Sequence, residues 1–288
     1  MYSWLITNKY FVSNNFNTIK DLLLNSAKEN NIMMDVFNNI EIIDILSSNN
    51  FKKPDFVLFW DKDIKLAKYI ENCGIRVFNS SYSIRICDDK SLTYLYLLDV
   101  VRQPKTIFSP LIYYHSLADD DEFINLAISK LKFPFIFKEC FGSFGKQVYL
   151  INSKNELVEK IRNAGNFPFI MQEYIKESYG KDLRVYVVGD KIVGAIKREN
   201  INGDFRANIE IGGKAYKYDL NSEEKDMALK VAKHLKLDFC GVDILFGKDN
   251  TPILCEVNSN AYFLGMNNSL NIKVEDEIIK YIINEIYE

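Results

Sequence analysis

Near the C-terminus of this 288-residue chain, two apolar runs each carry an acid: Gly241-Val242-Asp243-Ile244-Leu245 and Leu254-Cys255-Glu256-Val257-Asn258. Side chains on a strand alternate with period two, so Glu256 and Asn258 share a face. A carboxylate inside an apolar strand is costly to bury without a partner. Paired as a hairpin, Asp243, Glu256 and Asn258 form an all-oxygen ligand set that suits Mg²⁺ with water. The competing reading is a solvated edge hairpin. Upstream, Lys138 closes an apolar run, and Gly142, Ser143 and Gly145 follow in a short loop. Such a loop lets backbone N–H groups close on phosphate oxygens while the lysine neutralises charge. The spacing of a Walker loop is absent, so an ordinary Gly-Ser hairpin turn fits equally well.

Further polar groups follow in order: Gln172-Glu173-Tyr174-Ile175, Gly180-Lys181-Asp182-Leu183-Arg184, Lys197-Arg198, Asp204-Phe205-Arg206-Ala207-Asn208 and Gly212-Gly213. Taken singly, each reads as a solvated loop or strand end.

The elements that must position these groups fall into two patterns. Over the first 80 or so residues, short apolar runs alternate with amphipathic stretches. Strands are predicted over 3–7, 33–37, 56–60 and 75–78, with helices over 19–28 and 64–72, the latter closed by Gly74. That alternation predicts a small parallel α/β lobe. One helix is predicted over 88–101. From Phe133 the pattern changes to strands over 133–139, 147–151 and 169–174, with a helix over 153–163 capped by Ser153. Hairpins are predicted over 183–197 and 239–257. Asn221 caps a helix running to 237, and 274–287 is an amphipathic closing helix. The second half is mixed α+β.

Composition excludes several classes. Apolar residues make up 48% and charged residues 26%, the balance of a folded globular protein. A net charge of -3 argues against nucleic acid or an anionic membrane as partner. No apolar run approaches the length of a membrane span, and the first residues lack the pattern of a signal peptide. Five scattered cysteines read as free thiols in a reducing cytoplasm. His115 and His234 cannot supply a His-rich zinc site, and His234 reads as a helix-end residue.

Together and in this order, the polar groups resemble the ATP-grasp superfamily, and within it the RimK-like branch of glutamate ligases. The pattern is Gln-Glu-Tyr-Ile, Gly-x-Asp-Leu-Arg, Gly-Asp-Phe-Arg-x-Asn, Gly-Gly, Gly-Val-Asp and Glu-Val-Asn, and it covers the chain from about Asp88 onward. The resemblance implies a Rossmann-like pre-grasp lobe (1–87), a central lobe with a phosphate flap (88–172) and a C-terminal lobe with the metal site (173–288). It implies ATP, and two Mg²⁺ ions that Mn²⁺ can replace. Lys90 and Lys138 match the lysines that reach the α- and β-phosphates. The 142–145 loop matches the flap. Glu173, Tyr174 and Ile175 lie where a linker strand meets adenine, and Asp182 where a carboxylate holds the ribose. Asp243, Glu256 and Asn258 match the metal ligands. Arg206 and Asn208 match the pair near the γ-phosphate, and Arg184 and Lys197 are further phosphate or substrate contacts.

The implied reaction converts a carboxylate to an acyl phosphate, which an amine then displaces to give an amide. Mg²⁺, Lys and Arg stabilise the charge that develops. The implied partners are an amino acid and a peptide, protein or small-molecule acceptor, in the cytoplasm, with a homo-oligomer allowed. A D-alanine–D-alanine-type ligase, a ligase modifying ribosomal peptides and a non-catalytic ATP-binding regulatory module stay open. One departure concerns the acceptor side: after Glu-Val-Asn the family continues to Pro-Gly, whereas this chain has Ser259-Asn260-Ala261-Tyr262-Phe263. The added amino acid therefore stays open.

Overall fold

The computed structural model describes residues 1–11, 13–48, 50–113, 116–142, 145–209 and 212–287. Its first third is β1 (Tyr2–Thr7), α1 (Asn14–Glu29), β2 (Met33–Asn38), α2 (Asn39–Ser48), β3 (Phe56–Phe59), α3 (Ile64–Asn72) and β4 (Arg76–Phe78). These strands form an all-parallel sheet in the order β2-β1-β3-β4, as the alternating pattern predicts. The sheet's fully buried β3, Phe-Val-Leu-Phe, packs both its faces.

Two helices follow, α4 (Ser81–Asp88) and α5 (Lys90–Tyr96). The single helix predicted over 88–101 is therefore corrected. Asp89 is extended at the junction, and its carboxylate accepts from the backbone N–H groups of Ser91 and Leu92, which starts a new helix there.

A second sheet is antiparallel, in the order β5-β8-β6-β7, from β5 (Thr106–Phe108), β6 (Phe135–Glu139), β7 (Val148–Ile151) and β8 (Phe169–Glu173). Helices α6 (Asp121–Leu131) and α7 (Lys154–Ala164) cover one face, and Ser153 caps α7 as expected. The third sheet is antiparallel in the order β11-β10-β9-β12-β13. Its strands are β9 (Lys181–Val188), β10 (Lys191–Asn200), β11 (Gly213–Lys217), β12 (Phe239–Phe246) and β13 (Pro252–Asn258).

Helix α8 (Ser222–His234) packs on one face of that sheet and ends three residues short of the predicted limit, with Leu235 as its C-cap. Asn221 and Glu224 form a reciprocal capping box at its start. The chain closes with α9 (Leu264–Leu270) and α10 (Val274–Tyr287). Helix α10 packs on α1, so Leu5, Phe16 and Leu23 share a core with Tyr186, Phe263 and Ile278. That shared core sets the parallel sheet against the face of the third sheet that α8 leaves uncovered. Helices α2, α4, α6 and α9 and strands β5 and β11 were not anticipated, because their apolar spacing is short or irregular.

Candidate active site

Alternation on the third sheet sorts its side chains. Leu183, Val185, Val242, Ile244 and Val257 go to the α8 side. Asp182, Arg184, Arg198, Asp243, Glu256 and Asn258 go to the other side, onto a cavity of 740 Å³. The second sheet supplies the opposite wall through Ile136, Lys138 and Gln172, and the loops after β1 and β3 close one end.

At the bottom lies a chain of four charges, of which Arg198, Asp182 and Asp243 are buried and Arg184 nearly so. Arg198 donates from Nε and Nη2 to Asp182 at 2.7 and 2.6 Å, and its Nη2 lies 3.0 Å from Asp243 Oδ2. Asp243 Oδ1 also accepts from Arg184 Nε, and Oδ2 from Arg184 Nη2 at 2.8 Å. Counting arginines explains the two acids. Burial pushes the Asp182 carboxyl up, and Arg198 offsets that only in part. Burial also acts on Asp243, but Arg184 and Arg198 together outweigh it and hold that carboxyl below the usual range.

Across the β12–β13 pair, Asp243 stands in register with Glu256. A bulge follows at once, because Ile244 pairs with Leu254. The extra residue, Cys255, therefore turns to the cavity beside Glu256. Burial pushes its thiol up to about 11, against the pull of Lys138, whose Nζ lies 3.9 Å from Sγ. Glu256 forms no hydrogen bond or ion pair with the described residues.

The loop after β10 holds Arg206 on three sides. Its Nε and Nη2 donate to Asp204 at 3.0 and 2.7 Å, and its Nη1 donates to the carbonyl of Gly145 at 2.7 Å. The Asp204 hydrogen bonds raise the guanidinium's pKa and lower that of Asp204. Gly145 has φ +69°, and a Cβ there would sit 3.0 Å from Asn208 Oδ1, so glycine permits this close approach. Gly213 serves the same loop from behind, because a Cβ would strike the carbonyls of Ala207 and Asn208.

Glu173, Tyr174 and Ile175 reach the cavity from the end of β8. Gln172 donates to Thr106 Oγ1 at 2.9 Å, and its own Oε1 is buried with no partner among the described residues.

Thus Lys138, Gly145, Glu173, Tyr174, Ile175, Asp182, Arg184, Arg206, Asn208, Asp243, Glu256 and Asn258 all line one cavity. Three expectations fall elsewhere. Lys197 lies on the opposite face of β10 from Arg198 and donates to Glu199 at 3.2 Å, because neighbours on a strand point apart. Lys90 is not in the wall; its Nζ donates to the carbonyls of Cys140 and Gly142 at 3.4 and 3.2 Å and so braces the backbone that follows β6. Gly142 also stands outside the wall and has φ +145°. Ser143 and His115 lie outside the described residues. Residue-level reading missed Arg198, Cys255 and Gln172. Only Arg198 carried a signal, as the neighbour of Lys197 on a strand where one of the two must face inward.

Compared with known proteins, residues 97–282 match the RimK-like ATP-grasp domain. The chain is 35% identical to the uncharacterized protein MG012 of Mycoplasma genitalium, over 91% of this chain and 92% of that protein. It is 34% identical to human N-acetylaspartylglutamate synthase A, over 78% of this chain and 56% of that protein. Among solved structures, the D-alanine–D-alanine ligase of Bacillus anthracis complexed with ATP superposes with a TM-score of 0.77 at 19% identity, covering 100% of this chain and 97% of that one. At that identity the likeness concerns the fold.

Proposed function

Because the chain belongs to the RimK-like ATP-grasp family, we propose that this ATP-dependent, amide-forming ligase adds L-glutamate, through its amine, to a second molecule's carboxylate. The glutamate assignment draws on the relative whose name describes a product containing a glutamate unit. The observation that carries the reading is the convergence of Lys138 and Arg206 with Glu256 and Asn258 on one cavity.

The donor set fits a magnesium ion. Among the described residues no three His, Cys, Asp or Glu side chains form a metal-holding group. Mg²⁺ asks for less: one or two carboxylates, with phosphate oxygens and water completing its shell. Glu256 is unpaired among the described residues and Asn258 is its neighbour on the same face, whereas Asp243 also serves two arginines. Glu256, Asn258 and Asp243 would hold two Mg²⁺ ions, exchangeable for Mn²⁺, which supply charge neutralisation to the phosphoryl oxygens.

This chain's residues divide the remaining work. Gln172 Oε1 is a buried acceptor suited to the exocyclic amine of adenine, with backbone from Glu173 to Ile175 beside it. Lys138 neutralises phosphate charge from the buried end of β6. Arg206, aimed by Asp204 and tied to the flap at Gly145, meets the transferring phosphoryl group, and Asn208 adds an amide. Asp182 would hold the ribose, with Arg198 balancing its charge. The carboxylate oxygen attacks the γ-phosphorus and ADP departs. The ammonium sheds a proton to solvent, the resulting amine attacks the acyl carbon, and phosphate leaves as the nitrogen gives up its second proton.

The test is ADP release with Mg-ATP and L-glutamate against a panel of carboxylic acids and peptides, with product masses. ADP release that requires glutamate, with a product at the summed mass less water, is expected. Release driven only by other amino acids would overturn the glutamate assignment.

A further inference from the structure

The parallel sheet changes direction of strand succession between β1 and β3. In such sheets ligands sit beyond the carboxyl ends of the strands at that switch point. Asn8 follows β1 there, and Asp61 follows β3. Asn8 Nδ2 donates to both Asp61 carboxylate oxygens at 3.1 Å, and the backbone N–H of Lys62 donates to Oδ1 at 2.7 Å. Asp61 is only 9% exposed, and it forms the wall of the same 740 Å³ cavity that holds Lys138 and Glu256.

All of these partners are neutral. No cation forms an ion pair with Asp61 among the described residues, and the Lys62 ammonium is 2.9 Å from Asp88. A buried carboxylate held by neutral donors alone is costly, and a cation brought by a ligand would offset that cost. A second acceptor stands beside it. Asn260 Nδ2 donates to the main-chain oxygen of Asp61 at 2.5 Å, which leaves Asn260 Oδ1 buried with no partner among the described residues. Asn260 lies two residues past Asn258, so the chain that carries the metal ligands runs directly into this corner. Trp60, stacked on Phe239, adds an aromatic face to the same wall. A carboxylate that no cation meets among the described residues and an amide oxygen with no donor there, next to an aromatic face, match the N–H groups of an ammonium.

We propose that Asp61, oriented by Asn8 and joined by Asn260, is the subsite that holds the α-ammonium of the incoming amino acid. The inference rests on the ligase reading above. It makes the loops after β1 and β3, and not the third sheet alone, the selectors of an amine-bearing substrate.

The test uses L-glutamate, and glutarate as the probe that lacks the amine. Wild-type protein is expected to bind glutarate at least about ten-fold more weakly than glutamate, as loss of a charge-assisted hydrogen bond implies. Asp61→Asn preserves shape; it should raise the KM for glutamate about ten- to hundred-fold, with the KM for ATP and the inhibition by glutarate unchanged. Equal affinity of the wild type for glutarate and glutamate overturns the subsite without recourse to any variant. So does an Asp61→Asn protein with unaltered glutamate KM, or one whose ATP KM rises in parallel. A wild type that forms no glutamate adduct refutes the glutamate assignment, and with it the subsite for glutamate. A wild type that ligates glutamate while Asp61→Asn matches it refutes the subsite alone.

Discussion

Replacing Arg198 by methionine removes the guanidinium that holds both Asp182 oxygens, at 2.7 and 2.6 Å, and one of the arginine contacts of Asp243, at 3.0 Å. Asp243 keeps its two bonds from Arg184, so the damage falls on Asp182. The Arg198, Asp182 and Asp243 side chains are 5%, 10% and 6% exposed, so little solvent reaches the lost partner's place. Breaking a buried pair from one side costs about 3–5 kcal/mol, or on the order of 10 °C in Tm for a chain of this size. The pH dependence has a definite sign. Burial already raises the Asp182 carboxyl, and loss of Arg198 raises it further. A group raised on folding contributes stability below its unfolded pKa and loses it as pH rises through the folded value. The deficit should therefore be smaller near pH 5 than near pH 8. Urea unfolding followed by circular dichroism at both pH values measures it. Adding Asp182→Asn to Arg198→Met should restore most of the loss, because no buried charge is then left alone. A single variant costing under about 1 kcal/mol at pH 8, or a double variant no better than the single, would refute the charge-chain argument.

Two other outcomes follow from the same geometry. Glu256→Ala should abolish ADP formation, by at least about a hundred-fold, while Tm moves by no more than about 2 °C; normal turnover would remove Glu256 from the metal site. Asp238, buried and facing Arg76 at 2.9 Å, has a carboxyl pushed up to about 6 by burial. Its stability contribution is thus complete below its ordinary value and is lost as pH rises through about 6, on the order of 3 kcal/mol, so Asp238→Asn should flatten the Tm–pH curve between about pH 4 and 7; an unchanged curve would sink the assignment.

How much of the site was legible depended on whether local rules reached it. The period of two on a strand suffices to put Glu256 beside Asn258 and Asp182 beside Arg184. The caps Ser153 and Asn221 announce α7 and α8, since each side chain satisfies a backbone N–H three residues on. The order of the polar groups also sufficed for the family.

Tertiary structure decided the rest. Alternation says that Lys197 and Arg198 face apart, but not which is inside; β10 has a register irregularity between Ile192 and Gly194, and pairing with β9 puts Arg198 over Asp182. The bulge that exposes Cys255 to Lys138 exists only in the pairing of β12 with β13. Asn8 and Asp61 are 53 residues apart and meet because β1 and β3 are neighbours in a parallel sheet. Such facts depend on long-range register, which is set by the burial of whole sheet faces and by α10 folding back on α1. A residue's type and spacing specify the chemistry it offers; the packing of distant strands determines which groups that chemistry meets.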